Sequence, residues 1–255
     1  MTGRTRDNSA ILSKKIKRFI SSYASSHAKG LVLGLSGGLD SSVVLKLCVI
    51  ALGPQKVFGL VMSNHITPPQ DITDAVELAK SLSVRYQIID LDPIIEKYSQ
   101  ILPENERARG NLTARIRMNI LYYYAAINSY LVAGTSDKSE RKIGFFTKFG
   151  DGAADILPIG DLYKTQVREL AHFLQIPQAI IEKKSSPRLW DNHLAEEEIG
   201  MTYEKIDPIL QLLEKKNKPQ EIARKLKVPL SDVRKVKEMV EKSEHKRDPP
   251  PIAKI

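Results

Sequence analysis

Apolar and polar positions along this chain follow two periods, and the change between them divides the sequence. Residues 11–23 carry Ile11, Leu12, Ile16, Phe19, Ile20 and Tyr23 at helical spacing. Leu31-Val32-Leu33 is then a short apolar run of the kind a buried strand gives. Residues 41–52 predict a helix that stops at Gly53-Pro54, residues 56–62 a strand, and residues 71–82 an amphipathic helix with Ala75, Leu78, Ala79 and Leu82 on one face. A strand at 84–91, a helix at 93–102, a long and very apolar helix at 112–130 and a strand at 131–133 continue the alternation. From Asp161 onward the period is helical only, with helices predicted at 162–174, 202–214, 219–226 and 231–242.

Strands that alternate with helices imply right-handed crossovers and a parallel sheet covered on both faces. The expected fold is therefore α/β: an open, mostly parallel, doubly wound sheet with a helical C-terminal portion. It is expected to form one domain over 1–255, with the α/β core reaching to about 160.

Composition narrows the class. A chain of 255 residues with 42% hydrophobic positions can bury a large core and is too apolar to be disordered. A single cysteine, Cys48, excludes an intrachain disulfide framework. The most apolar stretch, 43–52, is interrupted by Lys46 and falls far short of the roughly 20 residues a bilayer requires. The N-terminal MTGRTRDNSA has no hydrophobic block after its charges, so no secretory leader is visible. The expectation is a cytoplasmic protein with no membrane partner. Its net charge is +9. Residues 202–255 hold fourteen Lys or Arg against nine Asp or Glu. Such a balance favours phosphate-bearing partners, either nucleotide or nucleic acid.

The chemistry concentrates in Gly34-Leu35-Ser36-Gly37-Gly38-Leu39-Asp40-Ser41-Ser42, between the first strand and the helix that follows it. Ligands of open parallel sheets bind outside the carboxyl ends of the strands. Glycines admit an anion close to the backbone, and a helix N-terminus offers free N–H groups. No Gly-Lys pair and no Gly-x-Gly-x-x-Gly occurs, which removes the Walker A and dinucleotide fingerprints. Asp40 instead puts a carboxylate inside an anion-binding turn, an arrangement that a magnesium ion would reconcile. The plain alternative is a helix capped by Ser36, Asp40 or Ser41 after a glycine turn.

Ser36-Gly37-Gly38-Leu39-Asp40-Ser41 resembles the pyrophosphate loop of the ATP pyrophosphatase superfamily. Longer segments carry the resemblance to the NAD synthetase family, in its short, ammonia-dependent form, over nearly the whole chain. They are Gly110 with Asn111 and Ala114 to Met118; Gly134 to Glu140; Gly144 to Gly152 with Ala154-Asp155; Leu162 to Arg168; and Ser243-Glu244-His245-Lys246-Arg247. The resemblance implies that Gly34, Leu35, Ser36, Gly37, Gly38, Leu39, Asp40 and Ser41 hold ATP. Thr135, Lys164 and Ser186 would join them, with Asp40 and Glu140 binding Mg2+. It further implies that Arg115, Lys148, Asp155, His245 and Lys246 bind deamido-NAD. Taken singly, Glu140 would pass for a solvated loop charge, Lys164 for a surface helical lysine, and the cluster of Lys148, Asp151 and Asp155 for an ordinary solvated one. Only His245 of the five histidines has a motif around it; His27, His65, His172 and His193 are expected at the surface or behind the site.

One segment departs from the family. Where its members show Pro-Pro-Ser-Ala-x-Leu-Trp and then Gly-Gln-x-Asp-Glu, this chain has Lys184-Ser185-Ser186-Pro187-Arg188-Leu189-Trp190 and Asn192-His193-Leu194-Ala195-Glu196.

The implied reaction has two steps. The nicotinate carboxylate of deamido-NAD attacks the α-phosphorus of ATP, and ammonia then displaces AMP from the acyl adenylate to give NAD. Asp40 and Lys164 would serve the first step, and Asp151 is the candidate proton acceptor for the second. No stretch of the sequence is left over for a glutaminase, so the expected nitrogen source is free ammonia, unless a separate glutaminase partner delivers it. The apolar helix at 111–130 offers more surface than one monomer face covers, and together with the resemblance it implies a homodimer with deamido-NAD near the interface. Two rivals stay open: another adenylating enzyme of the superfamily, and a helix-turn-helix over 220–240 that would bind DNA. The first reading expects no nucleic-acid partner.

Overall fold

The computed structural model describes residues 3–254. Helices α1 (Gly3–His27), α2 (Leu39–Leu52), α3 (Pro69–Ser81), α4 (Asp92–Ser99) and α5 (Glu106–Asn128) alternate with strands β1 (Gly30–Gly34), β2 (Val57–Ser63), β3 (Arg85–Asp90) and β4 (Tyr130–Val132). Helices follow: α6 (Lys138–Ile143), α7 (Lys164–Phe173), α8 (Gln178–Ile181), α9 (Ala195–Ile199), α10 (Tyr203–Glu214), α11 (Pro219–Leu226), α12 (Leu230–Lys242) and α13 (Glu244–Arg247).

The four strands form one parallel sheet in the order β3-β2-β1-β4. Its period-two side chains divide between two faces. Leu31, Leu33, Val57 and Val61 pack with residues of α1, α2, α3 and α7, while Val32, Phe58, Leu60 and Val132 pack with Met118, Leu121 and Ala125 of α5. A strand with both faces covered has no polar side to show, which is why Leu31-Val32-Leu33 is apolar without alternation. Each such side chain removed from water contributes roughly 1.5–3 kcal/mol. The sheet is doubly wound, as expected from the sequence. Its strand order reverses beside β1, because β2 and β3 lie on one side of it and β4 on the other. A crevice opens at the carboxyl ends of strands at such a reversal.

α7 and α8 belong to the core of the sheet, since Val167, Leu170, Ala171, Ile180 and Ile181 pack with it. From α9 on, a second core forms around the fully buried Tyr203, Ile206, Ile209, Ile222 and Val233.

The boundaries depart most from the sequence reading at α1, which runs from Gly3 to His27 where the apolar spacing covers only 11–23, and at the two ends of α5. α5 starts at Glu106, ahead of the apolar run, because the Asn105 side chain accepts a hydrogen bond from Ala108 N at 2.8 Å and caps it. It ends at Asn128, where Ser129 takes a left-handed conformation with φ of 56°, and Tyr130 is thereby released into β4. The helices α6, α8, α9 and α13 carry no periodic signal because each spans six residues or fewer. Among the described residues, no helix is long and apolar enough to cross a membrane.

Candidate active site

The loop after β1 is built for close approach. Gly37 has φ of +70°, and a Cβ there would fall 2.0 Å from the carbonyl oxygen of Asp71 on α3, so only glycine fits. Ser36 and Ser41 pair through their hydroxyls at 3.0 Å, and Ser42 Oγ donates to Gly38 O at 2.8 Å. The N-cap of α2 is Gly38, and no side chain caps the helix there. Ser36, Asp40 and Ser41 therefore do not act as its cap, and the N–H groups of the first turn stay available to an anion.

Asp40, in that first turn, meets three groups from the far side of the crevice. Lys164 opens α7 and is 1% exposed; its Nζ donates to Asp40 Oδ2 and Glu140 Oε1, each at 2.8 Å. Asp137 Oδ2, on a fully buried side chain, lies 2.9 Å from the same nitrogen but makes no hydrogen bond. It is close enough for ion pairing and off the line of the N–H groups. Asp40 Oδ1 is also buried without a partner.

Local chemistry fixes this arrangement. Asp137 and Glu140 form a capping box on α6: Asp137 Oδ1 accepts from Glu140 N at 2.8 Å, and Glu140 Oε2 accepts from Asp137 N. Asp207 on α10 accepts from Thr165 N at 2.9 Å and from Ser139 Oγ at 2.5 Å, and so holds the start of α7 against α6. Burial and the nearby Asp40 charge push the Asp137 carboxyl up to about 6 against the pull of Lys164. Burial, with Asp137 and Asp40 beside it, raises Glu140 well above the usual carboxylate range. Burial opposes the charge of Lys164, but three carboxylates outweigh it and hold the amine well above its ordinary value.

Asp40, Glu140 and Lys164 line one crevice of about 370 Å³. Gly34, Leu35, Ser36, Gly38, Leu39 and Ser41 line it, as do Thr135 and Ser186; Gly37 is buried beneath. Asp151 and Lys246 form another part of the wall. Asp151 Oδ1 accepts from Thr147 N at 2.8 Å. The Asp151 side chain is open to the crevice yet closely surrounded, and that desolvation holds its carboxyl above the usual value despite Arg117 and Lys246 nearby. Lys246 donates to the carbonyls of Gly144 and Phe146 at 2.8 and 2.9 Å, which seats the C-terminal segment on the loop after α6.

Arg115, Lys148, Asp155 and His245 do not line the crevice. Arg115 Nε donates to Lys148 O at 3.3 Å, and Lys148 Nζ to His245 O. Asp155 accepts from Val132 N at 2.7 Å and from the Tyr122 hydroxyl at 3.3 Å. They lie along the outer face of α5, where Tyr123 and Ile127 are 65% and 61% exposed.

Several residues of the crevice carried no role in the sequence reading. Arg117 lines it together with Asn111, Ala114, Met118 and Leu121, a stripe at helical spacing on α5 that leaves Arg115 on the other side. Asp71, Lys183 and Arg188 form a cluster beside the glycine loop. His193 is buried, not at the surface: its Nε2 lies 2.6 Å from Glu198 Oε2, and its ring stacks on Trp190 with centroids 3.5 Å apart. The divergent segment thus packs over the crevice, and Ser186 Oγ donates to His193 O.

An uncapped helix start after a glycine loop, at the reversal of a parallel sheet and facing a lysine among carboxylates, defines an α/β protein with an anion-binding crevice at the carboxyl ends of its strands. Within that class the chain belongs to the NAD synthase family, whose sequence pattern matches residues 12–250. It is 51% identical over 245 residues to the NH(3)-dependent NAD(+) synthetase of Hyperthermus butylicus, covering 94% of this chain and 89% of that one. Its structure resembles the NH3-dependent NAD synthetase of Campylobacter jejuni with a TM-score of 0.82 at 33% identity, over 96% of this chain and 99% of that one. It resembles the NMN synthetase of Francisella tularensis with a TM-score of 0.86, also at 33% identity, over 97% and 99%. The protein is a ligase that forms a carbon–nitrogen bond.

Proposed function

We infer that this chain converts deamido-NAD to NAD with ATP and ammonia, through an acyl adenylate and with release of AMP and pyrophosphate. The observation that carries this reading is the facing of the open α2 N-terminus and the Asp40–Lys164–Glu140 cluster across one crevice, in a chain of the NAD synthase family. The first-turn N–H groups and the loop hydroxyls hold the polyphosphate. Asp151, with its raised carboxyl, takes a proton from the incoming ammonium, and Lys246 orients the nicotinate end of the substrate.

Asp40 and Glu140 are the proposed magnesium ligands. The buried, unpartnered Asp40 Oδ1 suits a hard cation that takes oxygen ligands. Lys164 now sits among the carboxylates, and among the described residues no group of three or more acidic or His and Cys side chains is set as a ready metal cage. When bound, magnesium would offset charge that builds on the departing pyrophosphate.

Arg115, Lys148, Asp155 and His245 are proposed to hold the rest of deamido-NAD along α5, at the interface of a homodimer. The exposed Tyr123 and Ile127 beside them support this. The likeness to the Francisella NMN synthetase favours a second reading, in which a nicotinate mononucleotide is the acid amidated. One assay separates the two: ATP, magnesium and ammonium supplied with either acid, with NAD and NMN quantified. NAD from deamido-NAD at the higher kcat/KM is expected, and preferential NMN formation would reverse the assignment.

A further inference from the structure

Three cations stand among the carboxylates around the glycine loop, and they differ in the donors left to them. A lysine ammonium has three N–H groups. Lys164 donates to Asp40 and Glu140 and is ion-paired with Asp137. Lys183 donates to Asp71 Oδ1 at 2.8 Å and to the carbonyl of Gly37 at 2.9 Å, in the glycine loop itself, and is ion-paired with Asp74. Both lysines are thus enclosed by carboxylates of the protein. Arg188 has five side-chain donors and commits one of them, Nε, to Asp71 Oδ2 at 3.0 Å. Its Nη1 and Nη2 have no hydrogen-bond or ion-pair partner among the described residues.

The position of this free fork matters. Asp71 belongs to the first turn of α3, and its backbone touches Gly37. Its two carboxylate oxygens go to Lys183, which ties down the loop, and to Arg188, which comes from the divergent segment. Arg188 therefore stands one carboxylate away from the phosphate loop. It lines the same crevice, with its side chain 31% exposed. Its backbone is left-handed, with φ of 50°, a conformation costly for a residue with a Cβ, and its N–H is held by Ser186 Oγ at 3.2 Å. A guanidinium anchored on one edge presents the rest of a rigid planar fork, a shape that matches phosphate oxygens.

Resting on the reading of this crevice as an ATP site, we propose that Arg188 is a phosphate-contacting residue whose Nη groups bind the ATP polyphosphate and hold pyrophosphate as it departs. In that step a carboxylate oxygen of the substrate bonds to the α-phosphorus. The bond from that phosphorus to the bridging oxygen breaks, and its electron pair leaves with pyrophosphate beside the guanidinium. Asp71 keeps the fork in place through Nε and leaves its outer donors to the ligand.

Calorimetric titration of the full-length wild type, R188Q and R188K with ATP, inorganic pyrophosphate and AMP tests this, with magnesium present and folding checked by thermal melts. R188Q should weaken ATP and pyrophosphate by roughly 10- to 100-fold, the loss expected for charge-assisted hydrogen bonds, and AMP by less than about twofold. R188K should recover part of the affinity through charge alone. Equal weakening of all three ligands would mean that Arg188 only ties the segment to α3, and would overturn the proposal. ATP and pyrophosphate affinities unchanged in R188Q would also overturn it, while leaving the ATP site itself intact. Failure of the wild type to bind ATP at all would instead defeat the reading on which the proposal rests.

Discussion

At the glycine-loop end of the crevice, Lys164 and Asp137 are almost wholly buried, and the charged groups meet one another through side chains drawn from α2, α7 and the start of α6. On the outer face of α5, Arg115 and His245 are exposed, and the contacts of Arg115 and Lys148 go to backbone carbonyls. The first region is completed within one chain. Its charges are already organised before any substrate arrives, which is how preorganised electrostatics lower a barrier. The second offers cations that hydrogen-bond no side chain among the described residues, Lys148 lying over the ring of Phe149, next to exposed aromatic and aliphatic groups, an unfinished surface that a ligand and a second copy of the chain would complete together.

The strongest way to break this contrast is to remove the hub of the buried region. Lys164→Met leaves Asp40, Asp137 and Glu140 facing one another without a cation, and loss of one partner from a buried ion set costs about 3–5 kcal/mol. A marked fall in melting temperature is expected, and added magnesium should restore more of it in the variant than in the wild type, because the metal then binds the vacated carboxylates. A melting temperature that does not fall, or magnesium acting equally on both proteins, would show that the cluster is no cation site.

Asp40→Asn tests the same region through activity. The side chain keeps its shape and loses its charge, so the fold should persist while ATP-dependent pyrophosphate release drops by about 10²–10³-fold. Turnover near that of the wild type at limiting magnesium would remove Asp40 from the metal site.

The two regions were unequally legible in the sequence. The glycine loop is contiguous, and its meaning follows from its place between an apolar strand and a helix. The sheet was legible too, because each strand is a short apolar run between helical periods. The cluster of Asp71, Lys183 and Arg188 was not, since it joins positions more than a hundred residues apart that no local spacing connects. Glu140, taken singly, passes for a solvated loop charge, and Asp137 carried no role of its own. The Asp-x-x-Glu spacing from Asp137 to Glu140 was the signal of the helix it caps. Arg115 and Arg117 stand two apart on one helix, so only one can face the crevice, and the period alone does not say which.

For the outer region, Ile127→Glu introduces a charge into the exposed apolar face of α5. Light scattering should show a dimer dissociating into monomers. The KM for deamido-NAD should rise by about tenfold, the scale of one lost interaction of 1.4 kcal/mol, while the affinity for ATP stays within about twofold. A wild type that is an active monomer at assay concentration would collapse the distinction between the finished and unfinished regions. So would equal loss of both substrates in the variant.

The smallest effect is expected at Cys48, and it bears on the source of nitrogen. An enzyme that takes ammonia from glutamine needs a reactive thiolate to form a thioester. Cys48 lies in α2 behind the glycine loop, fully buried among the side chains of the core, and that burial pushes its thiol up to about 12. At neutral pH it is a small hydrophobe and not a nucleophile. Cys48→Ala should cost stability on the scale of one small buried group, about 1 kcal/mol. It should leave ammonium-supported NAD formation unchanged, and glutamine should support neither the wild type nor the variant. A thiol reagent applied at pH 8 to the folded protein should modify Cys48 slowly and rapidly only after unfolding. Glutamine-dependent turnover by the purified chain, lost in Cys48→Ala, would place a second chemistry in the core of the fold and overturn the assignment of free ammonia as the nucleophile.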